Sequence, residues 1–228
     1  MVEPQSEIST TAEIDAEKKL ALTEIVVYLD EYLPNFPSFF KKKTSIKKIK
    51  VEKKISRELC LFLNNVWDQN KTSIFHFYPE WEYDNSHRSS DFGVIDVRTE
   101  SNKPTETFFV IEAKRLPTGS GREKEYIEGN LGGIERYKRG HHSAGLPQSA
   151  IVGYIQKENC SHWHAKINEW IKELSSSNTD ESIKWNSDDL LVQSKNFGKT
   201  KKYHSKSTRI IDSEEDSIEL YHYLMELN

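Results

Sequence analysis

Cysteine is nearly absent: Cys60 and Cys160 are the only two, too few for a disulfide framework and without the paired spacing of a zinc ribbon. No stretch is apolar for long enough to span a bilayer. The acidic, polar start MVEPQSEISTTAEIDAEKK has neither the basic n-region nor the apolar h-region of a secretory signal. These absences predict a cytoplasmic protein with no membrane partner. The patterns GxxxxGK[ST], GxGxxG and GxSxG are missing too, which removes the usual support for nucleotide-driven motors, dinucleotide enzymes and serine hydrolases. The histidines of CSHWH and the pair His141-His142 lack the spacing of zinc ligands on a helix. There is no internal repeat.

What is present suits a soluble, folded chain: 36% hydrophobic residues, 30% charged residues and five tryptophans in 228 residues. Residues 13–33 place Leu20, Leu22, Ile25, Val26, Tyr28, Leu29 and Leu33 at helical intervals, ending before Asn35 and Pro37. A second helix is expected over VEKKISRELCLFLNNVWDQ, with Ile55, Leu59, Leu61, Phe62 and Val66 as its stripe. Then come three strands, SIFHFYPEWEY as far as Pro79, DFGVIDVR and FFVIEAKRL, the last two joined by the polar, turn-rich insert TESNKPTET. EYIEGNLGGIERYKRGHH reads as a helix weakened or broken by Gly132 and Gly133, SAIVGYIQ as a buried strand, and CSHWHAKINEWIKEL as a helix with Ser161 available as N-cap. The last apolar stretch, SIELYHYLMEL, fits strand or helix. This order predicts an α/β sandwich around a mixed sheet flanked by helices, with residues 1–45 an N-terminal helical extension and residues 46–228 the main domain.

Charge is uneven along the chain despite a net value of -4. KKKTSIKKIKVEKK (41–54) holds eight lysines, and KNFGKTKKYHSKSTR (195–209) is basic with aromatic residues interleaved. Lys47, Lys48, Lys50, Lys199, Lys201 and Lys202 are therefore candidate phosphate contacts, against the plainer reading of a solvated face.

The strand FFVIEAKRL raises the sharpest question, because a doubly buried strand normally excludes charge. Glu112 and Lys114 emerge on one face of it, with Ala113 turned away. Asp91 leads the preceding strand of the hairpin and can meet them across the pair. Two adjacent carboxylates repel unless a cation neutralises them. Mg²⁺ suits such a site, since it takes hard oxygen ligands, keeps several waters and makes one of them a usable nucleophile. Lys114 would orient that water or stabilise charge developing on phosphorus.

Asp91 followed by Glu112-Ala113-Lys114 after a hairpin resembles the PD-(D/E)XK phosphodiesterase superfamily, which includes many restriction endonucleases and DNA-repair nucleases. The resemblance covers roughly residues 50–160, and GGIERYKRGHH followed by AIVGYIQ is similar to the matching stretch of small bacterial restriction-type proteins. It implies a restriction-endonuclease-like fold, with Asp91, Glu112 and the Ala113 carbonyl as metal ligands and Lys114 acting on water. A glutamate of the first core helix, Glu52 in preference to Glu58, would complete the site. Ser90 stands where many members have Pro, which bears on turn geometry more than on chemistry. The expected activity is Mg²⁺-dependent DNA cleavage, with Mn²⁺ as substitute, in a restriction or anti-phage setting. A homodimer would suit double-strand cutting, and an ATPase or helicase subunit could deliver substrate. The alternatives are a catalytically silent nucleic-acid-binding or scaffold subunit of the same fold, and a nuclease for RNA.

Overall fold

The protein is described by a computed structural model covering residues 7–42, 51–70, 74–82, 89–98, 107–116, 123–129, 132–141, 145–177, 183–211 and 214–228. Helices α1 (Glu7–Tyr32), α2 (Phe36–Lys42) and α3 (Glu52–Asn70) precede β1 (Phe75–Glu82), β2 (Ser89–Asp96) and β3 (Phe109–Leu116). Then follow α4 (Gly133–Lys138), β4 (Gln148–Ile155), α5 (Cys160–Ser177), β5 (Val192–Asn196), β6 (Thr200–Ile211) and β7 (Glu214–Glu226). The strands form one seven-stranded mixed sheet in the order β1-β2-β3-β4-β7-β6-β5. β4 runs parallel to both β3 and β7, and the remaining pairs are antiparallel.

Strand alternation divides the core into two layers. Phe109, Ile111 and Ala113 of β3 pack with α1, α2 and α3, whereas Val110 and Leu116 pack with α4 and α5. β7 is central and buried on both faces, with Ile218, Leu220 and Leu224 on the α5 side and Tyr223, Met225 and Leu227 on the other. Its double apolar pattern explains why periodicity left strand and helix open.

Several local expectations need correction. β1 continues past Pro79 to Glu82, because the missing Pro79 N–H is tolerated in an edge strand. The expected helix over 125–142 is interrupted at the glycines and confined to its second part: a short 3-10 turn covers Glu123–Tyr126, and α4 starts at Gly133 with Gly132 as its N-cap. A Cβ on Gly132 would lie 2.4 Å from the Glu128 carbonyl carbon, and one on Gly133 2.8 Å from the Tyr126 oxygen. The two glycines thus let α4 sit against the preceding turn. At α5 the cap is Asn159, whose side chain accepts from the His162 N–H, while Ser161 accepts from Lys201. Leu20 and Leu61, placed on the apolar stripes by sequence, are 54% and 45% exposed.

The N-terminal helices are built into the main core. Ile25, Leu29, Leu33, Phe36 and Phe40 share one buried cluster with Leu59 and Leu63 of α3 and with Phe77, Phe92 and Val152 of the sheet. The Tyr28 hydroxyl donates to the Leu63 carbonyl at 2.8 Å.

Candidate active site

β2 and β3 pair from Phe92↔Ile111 to Val94↔Phe109, and the ladder goes no further towards the C-terminal end of β3. Beyond that point β3 has an open edge, and backbone N–H groups there need acceptors. Two carboxylates supply them. Asp91 Oδ2 accepts the Ala113 N–H at 2.9 Å, and Glu52 Oε2, from the first turn of α3, accepts the Arg115 N–H at 2.6 Å. The N–H and C=O of one strand residue point to the same edge, so the Ala113 carbonyl faces this gap.

Glu112 and Lys114 point to the α4 face, as alternation requires, with Lys114 Nζ 2.7 Å from Glu112 Oε1. Both are more enclosed than a sheet end open to water would make them, at 2% and 8% exposure. The reason is α4, which lies over them and brings Arg136 Nη1 to 3.2 Å from the same Glu112 oxygen.

Three carboxylates and Lys114 therefore act on one another. Burial, followed by the charge of Glu112, pushes the Asp91 carboxyl up to about 8, against the opposing pull of Lys114 and the Ala113 N–H. Glu52 is raised as well, by burial first, with Lys114 and the Arg115 N–H opposing. Burial alone would lower Lys114, but Glu112, Glu52 and Asp91 outweigh it and raise the ammonium above its ordinary value. The cluster is short of positive charge, and hard oxygen donors crowd one strand edge.

This donor set fits a divalent cation of the Mg²⁺ type. Among the described residues no three His, Cys, Asp or Glu side chains form a ready-made metal cage. Mg²⁺ does not need one, because it is commonly held by one or two carboxylates and keeps much of its water. Asp91, Glu112 and the Ala113 carbonyl are the groups that would hold it.

Other charged residues are distributed unevenly around the cluster. Glu52, rather than Glu58, is the α3 glutamate bonded to β3. Asp96 is occupied by Arg98, which reaches it at 2.6 Å and so keeps it away from the cluster. Glu80 is exposed and paired with Lys53 at 2.8 Å. Its φ of 53° puts a non-glycine residue in the left-handed region across from Asp91, a strained conformation of the kind found near functional sites. Lys47, Lys48 and Lys50 lie outside the described residues. Lys199 is exposed, and Lys201 donates to Ser161 at 2.9 Å.

The proposed phosphate contact at Lys202 is corrected: it is buried and bonded to Asp30 at 2.9 Å, so it serves the interior. Arg209, at the end of the same basic stretch, is also buried, held by Asp216 and the Leu146 carbonyl. Arg136 was missed by sequence reading. The Gly132-Gly133 pair, which marks a helix in close contact with its surroundings, was the signal that could have found it.

Comparison with family models, with curated proteins and with solved structures found no match to this chain.

Proposed function

We propose that this chain is a metal-dependent nuclease of restriction-endonuclease-like fold that hydrolyses DNA phosphodiester bonds. One observation carries the reading: Asp91 and Glu52 converge on the open edge of β3 beside the buried Glu112–Lys114 pair. A scaffold has no physical need for three crowded carboxylates, whose mutual repulsion is unfavourable unless a cation offsets it. The likeness of Asp91 and Glu112-Ala113-Lys114 to the PD-(D/E)XK pattern adds support.

In this reading Asp91, Glu112 and the Ala113 carbonyl hold Mg²⁺, or Mn²⁺ in its place. The ion supplies an activated water and offsets charge on the phosphate. Lys114, charged and fixed on the same strand face as Glu112, orients the attacking oxygen and stabilises negative charge as it develops. Glu52 pins the far side of the gap through the Arg115 N–H. Cleavage of both strands would use two copies of the site, hence a homodimer, and an ATPase or helicase subunit is the kind of partner that would feed such an enzyme in cellular defence.

A second reading is a nucleic-acid-binding scaffold that keeps the cluster as a buried ion network. The 2% exposure of Glu112 favours it. One experiment separates the two: purified wild type, Asp91→Ala and Glu112→Ala are incubated with plasmid DNA, single-stranded DNA and RNA in Mg²⁺, Mn²⁺ or EDTA. The nuclease reading expects cleavage by wild type only, lost in EDTA, and the nucleic acid that is cut decides between DNA and RNA. Cleavage persisting in excess chelator, or binding of nucleic acid with no turnover in any metal, would sink it.

A further inference from the structure

Among the described residues, Arg136 is the one cation of the cluster that comes from outside the β2–β3 hairpin, and neither metal binding nor activation of water employs it. It shares Glu112 Oε1 with Lys114, and the two bonds are unequal: 3.2 Å from Arg136 against 2.7 Å from Lys114. The Arg136 side chain is also the more accessible, at 15% against 10%. Two cations on one Glu112 oxygen offset the negative charge that a metal ion would use, so each competes with the metal for this carboxylate. Arg136, with the longer bond and the more open position, is the one that can leave.

A guanidinium has five N–H donors in a rigid fork that matches two oxygens of a phosphate. Among the described residues, a single side-chain donor of Arg136 is used, on Glu112. Its helix is fixed independently of that bond. Tyr137 donates to the Ala150 carbonyl, Lys138 is bonded to Asp189 at 2.8 Å, and Glu135 holds the Gly129 N–H. The Arg136 side chain can therefore change partner without α4 moving.

Resting on the nuclease reading, we propose that Arg136 is the phosphate-binding residue of the site, stored on Glu112 in the resting protein and transferred to a phosphodiester oxygen when Glu112 becomes a metal ligand. The exchange keeps charge balanced, because Arg136 leaves one anion for another as Glu112 gains a new cation.

Arg136→Met should tighten Mn²⁺ binding by about tenfold, the scale of one charge-assisted hydrogen bond that no longer competes for Glu112. The same variant should bind a short DNA duplex in Ca²⁺ about tenfold more weakly and cut it in Mg²⁺ about a hundredfold more slowly. Arg136→Lys keeps the charge but loses the fork, so it should hold near-wild-type Mn²⁺ affinity and still lose duplex affinity. The test is calorimetric titration with Mn²⁺, fluorescence anisotropy of the duplex in Ca²⁺, and melting temperature, on wild type, Arg136→Met, Arg136→Lys and Glu112→Ala. Tighter Mn²⁺ with weaker duplex binding supports the proposal. If Arg136→Met weakens Mn²⁺ binding, or leaves duplex affinity intact, Arg136 merely braces Glu112 and the proposal fails while the nuclease reading stands. If Arg136→Met does not fold, Arg136→Lys with wild-type duplex affinity overturns it alone. Wild type and Glu112→Ala binding Mn²⁺ equally poorly would instead remove the nuclease reading, and this inference with it.

Discussion

Lys114 is a cation almost sealed from solvent, kept charged by Glu112, Glu52 and Asp91. Because its folded pKa is raised, the stability it contributes is complete below its unfolded value of about 10.5 and is lost as pH rises through the folded one. Lys114→Ala removes the nearest counter-ion of Glu112 but leaves Arg136 at 3.2 Å. The expected loss is therefore about 1–3 kcal/mol, below the full cost of stranding a buried charge. If Lys114 serves the attacking water, single-turnover cleavage falls by about two orders of magnitude while duplex affinity holds. Urea melts and rapid-quench cleavage check both arms, and near-wild-type cleavage would leave Lys114 a plain ion-pair partner. Asp91, Glu112 and Lys114 were legible because strand alternation and hairpin pairing depend only on local chain geometry. Glu52 was legible from its place in the first turn of α3. The depth of burial was not, since it depends on where α4 lands. That is a tertiary contact across 24 residues, from Glu112 to Arg136.

α4 is only six residues long, so its own hydrogen bonds do little to hold it. Its position comes from its contacts, above all the two glycines that allow backbone to meet backbone. In Gly132→Ala the new methyl would stand within 2.8 Å of three backbone atoms of Glu128, none of which can swing away like a side chain. The variant should lose about 1–3 kcal/mol by overpacking, and cleavage should fall further than stability, because Arg136 is displaced along with the helix. Thermal melts set beside cleavage measured well below the melting temperature test this; a stable, fully active Gly132→Ala would show that the close approach is not required. β6 was harder to recognise than α4. Its α5-facing side carries Ser205, Ser207 and Arg209, which a hydrophobic pattern cannot flag as interior. They are buried because each finds a partner: Ser205 with His222, Ser207 with Asp189, Arg209 with Asp216. Within what the sequence displays as a basic stretch, alternate residues thus form one side of a polar core, and burial holds His222 within it neutral, its pKa lowered to about 3.

Across the whole molecule, one side chain joins the first helix to the last three strands. Asp30 of α1 accepts from Lys195 of β5 at 2.8 Å, Lys202 of β6 at 3.0 Å and Tyr223 of β7 at 2.8 Å. Burial pushes the Asp30 carboxyl up, but these three donors outweigh it and bring it below the ordinary 3.8. Its contribution is therefore present above that value and is lost as pH falls through the lower, folded one. The sequence reading sets a boundary near residue 45, after the first predicted helix; the shared core and the Asp30 clasp argue for one cooperative unit. Asp30→Ala leaves Lys202 buried without its carboxylate and should cost about 3–5 kcal/mol. If the molecule unfolds as one unit, that loss lowers the urea midpoint of α5 as much as that of α1, although α5 lies on the opposite face of the sheet. Hydrogen exchange followed by mass spectrometry across a urea series reads the two helices separately. Amides of α1 opening at low urea while α5 keeps its wild-type midpoint would make the N-terminal helices a separable extension; coincident shifts would make them part of the fold that holds Glu52 against β3.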